Sequence, residues 1–261
     1  MPELDDVADR CGRAAAWATA ALRGQTSSDT AATAIVADDG SHEVVDLPGV
    51  VGPQGWAAAL ATMKSQRTAA LRFVPAVPGD VLGLPGPAPF NAAAAASGGA
   101  VLLLDTCLAL VPTVVVIGPE DDQTVAVRWA AWSVEDRPGQ TWPTPGEAGR
   151  DLTEQLSQAL AELERLDVAA FRPEAVGLLR SPAATASPLP PGWPERAHQL
   201  LVRSQAVLSV IASARLDDGL AISSAEAVRR DDILRGLERS ARLARAAAWN
   251  ASVVPRPLGS R

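Results

Sequence analysis

The stretch "EDRPGQTWPTPGEAGR", residues 135–150, places Pro138, Pro143 and Pro145 close together. No single helix or strand runs through such a segment, because each ring fixes φ and removes a backbone donor. The chain is thereby cut into two parts with different patterning. Upstream lie short apolar runs rich in β-branched residues, such as "VLLLDTCLALVPTVVVIG" and "TVAVRWAAWSV", which read as strands. Downstream, Leu152, Leu156, Leu160, Leu163 and Leu166 recur at helical spacing. We therefore place a boundary here and expect two domains, 1–140 and 146–255.

The upstream part opens with a helix over 3–23. Val7, Cys11, Ala14 or Ala15, Ala18 and Leu22 form its apolar stripe, and Gly24 closes it. "TAATAIVADDGSHEVVDL" reads as a hairpin turning at Asp39-Gly40. "GPQGWAAALATMKSQR" is a second helix and "TAALRFVPAV" a strand. Further strands follow at 100–104, through Val114–Ile117 and in "TVAVRWAAWSV", the last two joined by the polar turn "GPEDDQ". Downstream come a helix over 151–169, a Pro-rich connector "RSPAATASPLPPGWP", and a helix over 194–216. Through "AVLSVIASA" that helix is apolar on nearly every side, which predicts a central, buried position. The last helix, 223–250, starts after Ser223-Ser224 with Glu226 close behind. The expected class is α+β or mixed α/β: an N-terminal mixed β-sheet with flanking helices, followed by a C-terminal helical subdomain of about three helices.

Composition removes several functions. Hydrophobic residues make up 48% and charged residues 20% of the 261, the profile of a folded chain. A net charge of −7 argues against general nucleic-acid binding, which needs clustered cations. The acid excess sits in residues 1–150, so a local basic face in the second half stays open. Lys64 is the only lysine and alanine is abundant, the mark of a high-GC genome. Cys11 and Cys107 are too few for a disulfide framework or a cysteine zinc site, and Cys107 reads as an inert thiol in an apolar strand. "MPELDDVADR" lacks the basic start and apolar run of a signal peptide. Asp105 and Pro112 interrupt the most apolar stretch, so no membrane span is expected, and a cytoplasmic location follows.

The densest turn chemistry lies in "PGDVLGLPGPAPFNAAAAASGG", residues 78–99. Asn91 reads as the N-cap of an alanine helix, with Phe90 stapled over its first turn against Ala95. The loop leaves the C-terminal end of a strand, a place where sheets bind ligands. Asp80, Gly83, Gly86 and Asn91 are therefore candidate ligand-binding residues. Against this, no Lys or Arg lies between Arg72 and Arg128, and no G-x-G-x-x-G or Walker pattern is present, so a rigid Pro/Gly wall explains the loop as well. The segment "PGDVLGLPGPAPFN" resembles one in an uncharacterised conserved protein family of high-GC Gram-positive bacteria. That family carries no assigned activity, so the resemblance implies that the loop matters without saying why.

No catalytic set, metal site or cofactor emerges. His42 and His198 are isolated, no G-x-S-x-G elbow occurs, and "EDDQ" lacks the frame of a calcium loop. The doublets Asp38-Asp39, Asp121-Asp122, Asp217-Asp218 and Asp231-Asp232 read as solubilising charge. On the last helix Arg235, Arg239 and Arg242 fall on one face and could meet an anion, a nucleic acid or an acidic partner. Alternatively they pair with acids at i, i+4: Glu226 with Arg230, Asp231 with Arg235, Glu238 with Arg242. Trp129 and Trp132, at odd separation on one strand, face opposite sides of the sheet. The expected function is a non-catalytic cytoplasmic protein acting through a protein–protein interaction surface, with an unknown partner or as a homo-oligomer. Small-molecule binding or catalysis at loop 78–91 is the alternative, and anion or nucleic-acid binding by the arginine helix a third.

Overall fold

In the computed structural model, described over residues 7–80, 83–119, 122–135, 142–165, 188–216 and 224–253, the upstream β-type runs build one five-stranded sheet. Its strands are β1 (Ser41–Val45), β2 (Leu71–Pro75), β3 (Gly99–Leu103), β4 (Leu108–Ile117) and β5 (Thr124–Ser133), in the spatial order β1-β5-β4-β3-β2. Neighbours from β2 to β5 pair antiparallel, whereas β1 pairs parallel with β5, so the sheet is mixed. The strands differ in reach. All ten residues of β4 pair with β5, but β3 covers only Leu108, Ala109 and Leu110 of β4.

Four helices accompany the sheet: α1 (Val7–Leu22), α2 (Ser28–Val36), α3 (Trp56–Ser65) and α4 (Ala88–Ser97). The small side chains of Ala14, Ala15, Ala16, Ala18 and Ala20 let α1 approach its neighbours closely, and all five are fully buried. It packs on β2 and β3 and against α2 and α3. Thr19 ties it to the edge strand, its hydroxyl donating to Leu71 O (3.0 Å) and accepting from Leu71 N (2.9 Å). Satisfying that strand's outward backbone groups from a helix is one way an edge is closed. Phe73, Val101, Leu103, Leu110, Trp129, Trp56 and Met63 are buried core residues of this half.

The second half holds α5 (Pro145–Arg165), α6 (Glu195–Leu216) and α7 (Ser224–Trp249), with α7 against both α5 and α6. A reciprocal capping box starts α5: Thr144 N donates to Glu147 Oε2 (2.8 Å), and Glu147 N to Thr144 Oγ1 (3.3 Å). Leu152 and Leu163 of the leucine stripe are buried and Leu156 and Leu160 half-buried; Leu166 lies outside the described residues. The chain divides into two compact units, Met1–Thr141 with Pro188–Trp193 and Ser252–Arg261, and Trp142–Ser187 with Pro194–Ala251. The class is mixed α+β, with a mixed sheet and flanking helices followed by helices.

Four local expectations are corrected. The hairpin at Asp39-Gly40 does not form: residues 28–36 are helix α2, and β1 pairs with β5 instead. Thr30, Thr33, Ile35 and Val36 favour a strand, but Ser27 accepts a hydrogen bond from Thr30 N, and Ala31 and Ile35 bury one helical face. Asn91 is not an N-cap. The helix starts three residues earlier, after Pro87, with Pro89 in its first turn, so Phe90 lies within it and packs on Trp132 at 6.3 Å. Cys107 sits exposed in the turn between β3 and β4, where Asp105 has φ +66°. Helix α6 is one-sided: Leu200, Leu201, Ser204, Val207, Val210 and Ile211 are buried, whereas Val202, Ser209, Ala212 and Ser213 are exposed.

Candidate functional site

The densest polar construction is buried behind β1 and β5. The turn after α2 folds back through Asp39 N to Val36 O (3.0 Å) and presents the Asp39 carboxylate to α1. Arg10 grips it twice, Nε to Oδ2 at 2.8 Å and the guanidinium end to Oδ1 at 2.6 Å. His42 Nε2 lies 2.9 Å from Oδ2, and Arg13 stands 3.8 Å away. On the far side of the imidazole, Trp129 Nε1 donates to His42 Nδ1 at 3.3 Å. Trp56 closes the group, edge-on to Trp129 at 5.4 Å. The side chains of Arg10, Asp39 and His42 are 1%, 5% and 0% exposed.

This geometry fixes the protons. An indole N–H only donates, so Nδ1 of His42 must accept and the ring proton sits on Nε2, which donates to Asp39. Burial pushes the His42 pKa below its ordinary value, outweighing the opposing pull of Asp39. Burial alone would raise Asp39, but the hydrogen bonds from Arg10 and His42 together hold it below the usual carboxylate range. The cluster is thus a buried ion pair with a neutral histidine. Both ring nitrogens are engaged within the protein, so the ring has no free nitrogen to present to a substrate. Its chemistry is that of a clamp joining α1, the α2–β1 turn and β5.

The described parts of loop 78–91 are tied by their own hydrogen bonds. Val77 and Asp80 exchange both backbone hydrogen bonds (3.0 and 2.9 Å) around Pro78-Gly79, and Gly79 at φ +84° supplies the left-handed position of the tight turn. Asp80 is half-buried beside this turn, and Gly83 is half-buried further along. Gly86 N donates to Asn91 Oδ1 at 3.0 Å, and Glu135 N to Gly86 O at 3.3 Å. A Cβ on Gly86 would stand 3.1 Å from the Glu135 carboxylate, at a residue with φ +92°. The carbonyl oxygen of Asn91 is therefore engaged inside the loop.

On α7, Arg235 is gripped by Asp231 (2.6 Å) and Asp232 (2.8 Å). Arg242 is buried and faces Glu238 at 3.3 Å, and Glu238 also holds Arg215 at 2.7 Å. Arg239 is exposed between them in sequence. Arg230 donates to the Ala214 carbonyl, and Arg229 pairs with Glu162 across to α5. Between these helices lies a shallow apolar crevice, with room for about 10 Å³, lined by Leu156, Val207, Val210, Ile211, Leu234 and Leu237. Among the described residues no group of three or more His, Cys, Asp or Glu could hold a metal ion, and no helix is long and apolar enough to cross a membrane.

The far half of β4 is the opposite of the clamp. Cys107 O accepts from Val134 N, so odd-numbered residues of β4 turn their backbone groups toward β5 and even-numbered ones turn away. The outward groups of Leu108 and Leu110 lie on the side of β3, and the Pro112 carbonyl accepts from Ser97 Oγ of α4 at 2.7 Å. Among the described residues no strand pairs with this side of β4 beyond Leu110. Among the described residues, Val114 and Val116 present N–H and C=O groups on an open edge. Val115, Val116 and Ile117 are 48%, 39% and 44% exposed.

A closed polar clamp, a loop in which Asn91 holds Gly86, an arginine face with Arg235 and Arg242 paired to acids, and an apolar strand edge belong to a mixed α+β protein with a sheet-bearing first part and a helical second. The chain belongs to the Rv1486c-like protein family, whose N-terminal domain matches residues 11–148 and whose C-terminal domain matches 146–246. No curated protein and no solved structure matches the chain. Sequence reasoning missed Arg10, Asp39, His42 and Trp129 as a group. The only local signal was an arginine one residue from Cys11 in an otherwise alanine-rich helical stripe.

Proposed function

We propose that this is a non-catalytic cytoplasmic protein that works through a protein–protein contact, with the open half of β4 as the contacting surface. The observation that carries this reading is the exposure of three consecutive β-branched residues, Val115, Val116 and Ile117, on the half of β4 that β3 does not reach. Folded proteins usually blunt such an edge with charge, a covering element or a bulge, because it templates further strand pairing. Residues 113–117 carry no charge at all. The cytoplasm suits two cysteines that form no disulfide, Cys11 buried and Cys107 exposed. An origin in high-GC Gram-positive bacteria, the domain division 1–140 and 146–255, and the absence of a cofactor belong to the same reading.

A small-molecule role for loop 78–91 is the runner-up, supported by its place at the C-terminal end of β2. It requires Asn91 to release Gly86 or Asp80 to leave its turn. A photo-crosslinking residue at Val116, compared with one at Pro78, tests the two in the cell. The contact reading expects a discrete adduct from position 116, its peptide identified by mass spectrometry, and none from 78. No adduct at 116, together with a metabolite that raises the melting temperature of the protein but not of Asp80→Ala, would replace it with the ligand reading.

A further inference from the structure

We infer that the occupant of the β4 edge is a second copy of the same chain, paired antiparallel through Thr113–Ile117 with the two-fold axis at Val115. This rests on the contact reading above and names its partner. The edge is self-complementary in backbone and side chain. The outward N–H and C=O groups belong to Val114 and Val116, which are symmetric about Val115. An antiparallel copy therefore sets each Val114 against the partner's Val116 and lets the two exchange hydrogen bonds in both directions.

The same register sets Val115 against its own counterpart and Thr113 against the partner's Ile117. These are cross-strand pairs of β-branched residues, which stabilise sheets. The two sheets would join at β4 as one, as an isologous contact requires.

Charge points the same way. A protein of net charge −7 repels its own copy unless the contact is neutral or complementary. Residues 113–117 are uncharged, and they are flanked by an exposed Arg128, in register with Thr113, and an exposed Asp122 in the turn beyond Ile117. An antiparallel two-fold brings the Arg128 end of each copy to the Asp122 end of the other. Arg128 stands about two strand spacings, roughly 10 Å, from the partner's Ile117. Asp122 lies in the turn beyond Ile117 and so farther away than the Debye length of about 8 Å at physiological salt, which means this attraction orients the two copies at low salt and is largely screened at physiological salt. A parallel arrangement would set like charges together. A contact of this size belongs with small, concentration-dependent interfaces rather than obligate ones.

Analytical ultracentrifugation of the full chain over a range of concentrations tests the inference. The wild type is expected to pass from monomer to dimer. Val116→Pro removes an outward donor from each copy while leaving the β5 ladder intact, and is expected to weaken the dimer about tenfold or more. Val51→Lys, at a fully exposed valine away from the edge, is expected to dimerise as the wild type does. Val115→Lys and Val115→Glu are each expected to be monomeric, because like charges then face each other at the axis, and a mixture of the two is expected to restore the dimer. A wild type that stays monomeric overturns the inference, as does a dimer indifferent to Val116→Pro or a mixture that does not reassociate. If the wild type is monomeric yet Val116 crosslinks to another protein in the cell, the second copy is wrong and the contact reading stands. If neither association nor crosslink occurs, both fail.

Discussion

The sheet has two regions of opposite character, the Arg10–Asp39–His42–Trp129 clamp at the β1–β5 side and the far half of β4. In the clamp a carboxylate, a guanidinium and an imidazole are almost completely enclosed, and they are arranged so that Asp39 and both nitrogens of His42 have partners. At the edge the side chains are apolar and the surroundings are water. The contrast teaches that burial in this chain follows where neighbours end, not residue type. Polar groups went inside because α1, the α2–β1 turn and β5 meet around them. Valines stayed outside because β3 covers β4 no further than Leu108–Leu110.

The sharpest way to break the comparison is to open the clamp. Asp39→Ala leaves the Arg10 charge buried without its carboxylate, a change expected to cost about 3–5 kcal/mol, measured by urea unfolding. A loss near zero would mean the clamp is not closed. Acid tests the same group by titration. His42 has its pKa lowered on folding, so protonation favours the unfolded chain and stability is lost as pH falls below the ordinary value of 6.5. Asp39 is lowered too, so its contribution is present above the carboxylate range and disappears at still lower pH. Both signs agree: the melting temperature should decline from pH 7 downward, and His42→Gln should flatten the first part of that decline.

A smaller effect is expected at the loop. Asn91→Ala orphans the Gly86 N–H and should cost about 1 kcal/mol, read from denaturant midpoints. The smallest effect on folding is expected at the edge. Val115→Lys should change the stability of the monomer by no more than about 0.5 kcal/mol, because the side chain it replaces is half in water.

Much of this architecture is legible in the sequence. The leucine stripe of α5 and the strands β2 to β5 follow from periodicity and turn residues. Helix α2 is not, because Thr30, Thr33, Ile35 and Val36 carry strand propensity, and a serine cap with one buried face outweighs it. The clamp is illegible for a different reason. Asp39 looks like half of a solvated doublet until Arg10, twenty-nine positions earlier, is brought beside it. The open edge is hidden likewise, since "TVVVI" reads as a strand like any other and only the short reach of β3 exposes it.

Amide hydrogen exchange at Val114 and Val116, compared between dilute and concentrated protein, tests the account most directly. These N–H groups should exchange quickly when dilute and slowly when concentrated, while amides of β1 and β5 beside the clamp stay slow throughout. Slow exchange of Val114 and Val116 in dilute protein would show the edge already closed within one chain. Fast exchange at every concentration would show that no second copy covers it. Either result would contradict the account.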